Sequence, residues 1–304
     1  MTSNASAEAP HPNRLDATYE PYSGPSLRKR TWRAVRLQPV GTVSLVIIIA
    51  LVGVALFADY IARFDPASID ARSLQSPNST HWFGTDNFGR DIFSRVVYGS
   101  RISLQVGLIA TSIGVFGGSL IGLVSAYFGG TIDLVVQRLV DAMMAFPFLV
   151  IALIMIAVVG PSVRNVMIVV GVAIMPGVSR VIRGIVLSEK ENAYVLSARS
   201  VGASNARIMF RHLLPNLVAP IVILVSSVLP GAVLVEAGLS FLGLGTPPPT
   251  PSWGADLSGN ARTFFQHAPW MAIFPGLALS IVVLAFNLLG DAIRDLVDPQ
   301  LRNR

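Results

Sequence analysis

The chain has no cysteine in 304 residues, so it holds neither a disulfide framework nor a thiolate metal site. Its four histidines, His11, His81, His212 and His267, are scattered and show no H-x-x-x-H or H-E-x-x-H spacing, so no metal site is expected. No G-x-x-x-x-G-K-[ST] phosphate loop and no G-x-S-x-G nucleophile elbow occurs. Without such constellations catalysis has little support, and any ATP-driven work needs an ATPase on another chain. Charge is scarce at 13%, whereas 52% of residues are hydrophobic. Apolar runs long enough to cross a bilayer recur, which marks an integral membrane protein. The net charge of +6 then reads as basic loops retained on the cytoplasmic side, not as a nucleic-acid surface.

Residues 1–36 are polar and rich in Pro, Ser and Asn, the composition of a disordered tail. The tail ends in a basic cluster, Arg28, Lys29, Arg30, Arg33 and Arg36, which places the N-terminus inside. Six spans are expected, over 40–62, 102–128, 139–159, 166–187, 217–235 and 271–289. The first is too long for a signal-peptide core and lacks a cleavage site, so it is retained. An even number of spans returns the C-terminus to the cytoplasm. The connection after the first span breaks the charge bias, with Arg72, Arg90, Arg95 and Arg101 on the expected outer side.

In the second span Ala110, Gly114, Gly118, Gly122 and Ala126 recur every four residues, forming one smooth stripe for close helix packing. Pro147, Pro176, Pro220, Pro230 and Pro275 interrupt later spans, as suits a bundle that lines a cavity and moves; static bundles carry such prolines too. Arg138 and Asp141 are spaced to pair with each other. Asp291 and Arg294 end the sixth span, and Asn287 is placed to bond between helices. Glu236, at the end of the fifth span, is the charged candidate for a translocation path. The stretch 91–98 reads as a short amphipathic helix flat on the outer surface, with an Asp91–Arg95 pair.

One cytoplasmic strip, "YVLSARSVGASNARIMFRHLLPN" at 194–216, is neither span nor disordered loop. Helix formers fill 188–201, Gly202 supplies a bend, and Ser204 caps a second short helix running to about His212, with Pro215 just beyond. Tyr194, Ala198 and Val201 share one face. Ala206, Met209, Phe210 and Leu213 share another, opposite Arg207 and Arg211. The product fits a groove in a partner protein or the lipid headgroup layer; periodicity alone accommodates both.

The strip resembles the "EAA" coupling segment of binding-protein-dependent ABC importer permeases. The likeness rests on Ser197-Ala198, Gly202 and Leu214-Pro215; Leu196 stands where that motif has Glu, and His212 where Ile is common. The "RHLLPN" ending at 211–216 is similar to the peptide and nickel branch, as are "HWFGTDNFGRDIFSRVVYGSRISLQVG" at 81–107, "EAGLSFLGLGTPPPTPSWGADL" at 236–257 and "GDAIRDLVDPQLR" at 290–302. The short N-terminal loop and the long 64–101 connection resemble the C-type subunit of the permease pair.

The resemblance implies an all-α membrane protein with the type I importer permease fold: six transmembrane helices and a cytoplasmic coupling helix. It divides the chain into a tail at 1–36, a first helix and extracytoplasmic connection at 37–99, a transmembrane domain at 100–290 with its coupling segment at 188–216, and a C-terminal tail at 291–304. Implied partners are a homologous second permease, two ATP-binding subunits carrying ATP and Mg, a solute-binding protein and the inner-membrane bilayer, with no nucleic acid and no cofactor on this chain. Ser197, Ala198, Arg199, Gly202 and Ala203 are expected near the ATPase, with Pro215 closing the motif and Glu191, Arg207 and Arg211 at the rim. The loop at 246–270, dense in proline, offers Trp253, Phe264, Phe265 and Trp270 for docking the binding protein or for packing at the membrane interface. Dipeptides and longer peptides are the expected cargo; nickel chelates, glutathione and other small solutes run through the same branch. An ATP-independent channel would need a selectivity device, and none is visible.

Overall fold

The computed structural model describes residues 38–297, of which those from Pro39 onward belong to one compact unit. The tail at 1–36 with its basic cluster, and residues 298–304, lie outside them. Helix α1 (Pro39–Leu56) opens with a proline, whose missing N–H costs nothing in a first turn, and α2 (Ala58–Ile61) follows after a break at Phe57. Together they occupy the expected first span.

Helix α3 (Ile92–Phe128) is 37 residues long, about 55 Å at 1.5 Å per residue, and so exceeds a hydrocarbon core of ~30 Å. Its first turns are the stretch expected to lie as a separate surface helix. No proline stands between Tyr98 and Ile102, and the one glycine there, Gly99, packs against Trp253, so the helix runs through. Asp91 is its N-cap, accepting from the Ser94 N–H at 2.8 Å, and is not the partner of Arg95. Gly129, at φ +65°, ends α3 in a conformation that suits glycine.

The expected straight third span is instead two helices, α4 (Gly130–Met144) and α5 (Phe148–Val159), bent by 92°. Pro147 lacks an N–H and disfavours helix at the residue before it, so the turn falls there. Helix α6 (Val163–Glu189) starts at Ser162, whose hydroxyl accepts from the Asn165 N–H at 3.1 Å. After it come α7 (Ala193–Ser200), α8 (Asn205–Arg207), a π-helical turn at Ile208–Leu213, and α9 (Leu214–Phe241) with Pro220 and Pro230 inside. Two short helices, α10 (Trp253–Leu257) and α11 (Gly259–Thr263), precede α12 (Trp270–Val297). That last helix carries Asp291 and Arg294, so the expected tail from 291 is still helical here. Among the described residues five helices are long and apolar enough to cross a membrane, six if the bent pair counts as one span.

The core is the α3–α6 contact, and the small-residue stripe makes it. A Cβ on Gly118 would stand 2.7 Å from the Met175 carbonyl oxygen and 2.8 Å from Val178 Cβ; one on Gly122 would stand 3.0 Å from the Arg183 N. Gly114 faces Ile174 in the same way, and Ala110 and Ala126 are fully buried. The sequence left the neighbour of this stripe open; it is α6. Two ion pairs brace the helices around it, Asp133–Arg183 at 2.5 Å and Asp141–Arg180. Asp141 therefore turns to α6 and not to Arg138 on its own helix.

Candidate coupling site

The strip is built at the end of the bundle where α3 and α6 stop. Helix α6 ends at Glu189 and α7 begins at Ala193, so the helix expected over 188–201 is broken at 190–192. Helix α7 closes as a Schellman motif: the Ala203 N–H reaches the Ala198 carbonyl at 3.0 Å, the Gly202 N–H reaches the Arg199 carbonyl at 3.0 Å, and Gly202 sits at φ +78°. Ser204 then caps α8 through the Arg207 N–H at 3.4 Å. No second short helix ends near His212. The π turn leads straight into α9, and Pro215 sits in the first turn of α9, where a proline is tolerated.

Burial separates the strip's two faces. Val195, Ala198, Ile208, Met209 and Leu213 are buried against the core. Ser197, Arg199, Gly202, Arg207, Arg211, Pro215 and Glu191 are exposed, and Ala203 is half-buried. Val201 is 85% exposed, with Leu196 and Phe210 also outward. Ala198 thus faces inward while Tyr194 and Val201 are exposed, which splits the face expected from spacing alone. Ala206 and Phe210 likewise part from Met209 and Leu213. Helices of eight and three residues are too short for periodicity to fix which side is up.

Polar bonds brace the strip to three long helices. The Tyr194 hydroxyl donates to Glu189 Oε2 at 2.8 Å, at the end of α6, and accepts from Asn216 Nδ2 at 3.0 Å, in α9. Burial and the Glu189 carboxylate push the Tyr194 phenol above its ordinary value, so it stays a donor. The Tyr127 hydroxyl, from α3, bonds Asn205 Oδ1 at 2.8 Å, and Lys190 Nζ donates to the Ala126 carbonyl at 3.1 Å. Reading the strip by faces gave Tyr194 a place on one face but not its bracing role, and gave Lys190, Asn205 and Asn216 none. Their one sequence signal is polarity at the seams between helices.

At the opposite end, Trp253 is 1% exposed and donates from Nε1 to the Val96 carbonyl at 3.0 Å. Trp270 donates to the Thr85 carbonyl at 3.2 Å, and Phe264 packs into a small core with Ile92 and Met271. These three rings hold the loop together and are not a free docking face; Phe265, half exposed, is the one that stays outward. Glu236 is fully buried and accepts from the hydroxyls of Ser103 at 3.0 Å and Ser240 at 2.8 Å, so it ties α9 to α3 inside the subunit and lines no open path in this conformation. Three arginines of this end carry their own counter-ions: Arg90 pairs with Asp86 at 2.6 Å, Arg101 with Asp59 at 3.1 Å, and Arg95 with Asp256.

This arrangement, a braced strip beneath a glycine-packed bundle, has relatives. Residues 118–303 match the family described as binding-protein-dependent transport system inner membrane component, and 26–77 match the N-terminal TM domain of oligopeptide transport permease C. The chain is 39% identical to the dipeptide transport system permease protein DppC of Alkalihalophilus pseudofirmus, covering 93% of each chain. It is 42% identical to the glutathione transport system permease protein GsiD of Escherichia coli strain 536, covering 89% of this chain and 90% of the other. A chain of the inward-facing MetNI methionine ABC transporter shares the fold at TM-score 0.55 and 18% identity, covering 67% of this chain and 96% of that one. The protein belongs to the binding-protein-dependent transport system inner membrane components, in the branch of the oligopeptide permease C subunits.

Proposed function

We propose that this chain is one of two non-identical permease subunits of an ATP-driven importer for dipeptides and oligopeptides, working by alternating access. The cargo reading is supported by the dipeptide permease relative; glutathione, the cargo named for the other relative, is itself a peptide. The chain catalyses nothing. Two ATPase subunits hold ATP and Mg, and a solute-binding protein delivers cargo at the end opposite the strip, with Phe265 within its footprint. Both termini are cytoplasmic. The domain division is that of the sequence reading, with the transmembrane helix running on to Val297 before any tail begins.

The observation that carries this reading is the strip itself: an exposed rim of Leu196, Ser197, Arg199, Val201 and Gly202 projected from a frame bonded to α3, α6 and α9. ATP closes the ATPase pair, and the frame turns that closure into rotation of the helices; the two states need only bind ATP and cargo differently. Arg207, Arg211 and Glu191 lie at the rim, where exposed charges contribute little singly. Ala198 supports the helix from inside, and Ala203 and Pro215 fix its exit.

The test is cysteine cross-linking in membranes holding the whole transporter. The chain has no native cysteine, and Ser197→Cys and Val201→Cys place thiols on the exposed rim. Each is expected to cross-link to a cysteine in the ATPase groove with a yield that changes with ATP. No cross-link to an ATPase shown to be present and folded would leave the strip on the membrane surface and favour an ATP-independent channel.

A further inference from the structure

The joint between the strip and α9 departs from an α-helix by one residue. The Ile208 N–H reaches back four residues, to the Ser204 carbonyl at 3.0 Å, whereas the Leu214 N–H reaches back five, to Met209. Burial shows what the extra residue does. Ile208, Met209, Leu213 and Leu217 are buried, and Phe210 is 54% exposed. In an unbroken α-helix five residues advance about 500°, so Ile208 would stand roughly 140° from Leu213. Phe210 would then share the inward face with Leu213 and Leu217, as spacing alone predicts. The widened turn swings the strip by one residue and puts Ile208 inward instead.

Both sides of the joint are anchored in these phases. On the strip side Ile208 is fully buried, and Asn205 accepts from the Tyr127 hydroxyl at 2.8 Å. On the α9 side Asn216 Nδ2 donates to the Tyr194 hydroxyl at 3.0 Å and to the His212 carbonyl, inside the turn, at 2.9 Å. Pro215 follows two residues after the turn. In the α-helical alternative its ring would meet the Arg211 carbonyl and bring that oxygen no N–H. Proline alone does not widen a helix, since Pro220 and Pro230 lie within α9. At Pro215 the buried residues on the two sides are one residue out of phase.

We propose that Pro215 is a positioning residue: by barring the α-helical register it holds the strip turned one residue against α9, with Phe210 and Arg211 outward and Ile208 inward. The proposal rests on the coupling reading above and adds to it what sets the rotation of the strip.

The test uses the full chain with its partner subunits in inside-out membrane vesicles, the ATPase subunits washed off before labelling with a bulky maleimide. In this cysteine-free chain Phe210→Cys is expected to react at least tenfold faster than Ile208→Cys. Pro215→Ala frees the joint to close into an α-helix, and the difference is expected to fall below twofold or to reverse. Deleting His212 from the Pro215→Ala chain removes the extra residue, so an α-helical joint then leaves both sides in their original phases, and the tenfold difference is expected to return. In the reconstituted transporter with its ATPase and binding protein, stimulation of ATP hydrolysis by dialanine is expected to fall at least threefold with Pro215→Ala and to recover with the deletion, a rescue that a general loss of stability would not give. A labelling difference or a stimulation that survives Pro215→Ala would overturn the proposal, as would a deletion that leaves either readout unrestored. A Pro215→Ala subunit that fails to assemble is judged by the same deletion: rescued assembly supports the proposal, and no rescue overturns it. Stimulation absent from the parent transporter would sink the importer reading, and the labelling then judges the joint alone.

Discussion

Tyr194 shows how much rests on single polar contacts at the strip. Its hydroxyl joins the end of α6 to the start of α9 through Glu189 and Asn216, and no backbone bond does the same. Tyr194→Phe keeps the ring and removes both bonds, each contributing about 0.5–1.5 kcal/mol. The expected result is a subunit that still assembles but transmits poorly: cargo-stimulated ATP hydrolysis falls several-fold while basal hydrolysis and expression hold, measured on the reconstituted complex. An unchanged stimulation ratio would show that the strip moves with one helix and needs no tie to the other. Glu236 makes the complementary point. An intramembrane carboxyl in an apolar sequence suggests a path, yet two serines from different turns satisfy it in the interior.

Among the elements, the α3–α6 pair is the least tolerant of change. Gly118→Val puts branched carbons where Met175 and Val178 already stand, so the helices must part. Overpacking of this kind costs about 1–3 kcal/mol, and a lowered melting temperature in detergent is the expected readout. Gly129→Ala, by contrast, meets no atom within 4 Å and is strained only by its φ of +65°. The packing stripe was legible in the sequence because a four-residue period of small side chains needs no tertiary information. Its partner was not legible, since many apolar helices can face a smooth stripe. The spans were legible from length and hydropathy, but the 92° bend at Pro147 was not, because proline kinks a helix as readily as it ends one. Gly202 and Ser204 announced the turn of the strip, whereas the inward side of α7 depended on what its eight residues lean against. The inward placement of the loop's tryptophans was hidden for a related reason. Trp253 and Trp270 look like exposed anchors in a proline-rich loop, and only the fold supplies the carbonyls of Val96 and Thr85 that draw them in.

At the scale of the whole molecule, the two ends differ in how they carry charge. The strip end leaves Arg199, Arg207 and Arg211 exposed. At the other end, residues 57–101 hold five arginines and five aspartates, and 242–269 add one of each. Three of these arginines sit in ion pairs with Asp86, Asp256 and Asp59. A voltage across the bilayer does about 2.3 kcal/mol of work on each net charge moved through 100 mV, and none on a pair that moves together. The far end can therefore swing through a transport cycle without sensing the membrane potential. Uptake of an uncharged or zwitterionic cargo into proteoliposomes, at fixed ATP, is expected to keep its rate when a potassium diffusion potential of either sign is imposed. The pump would then draw on one energy source alone and keep working in a cell whose membrane has lost its voltage.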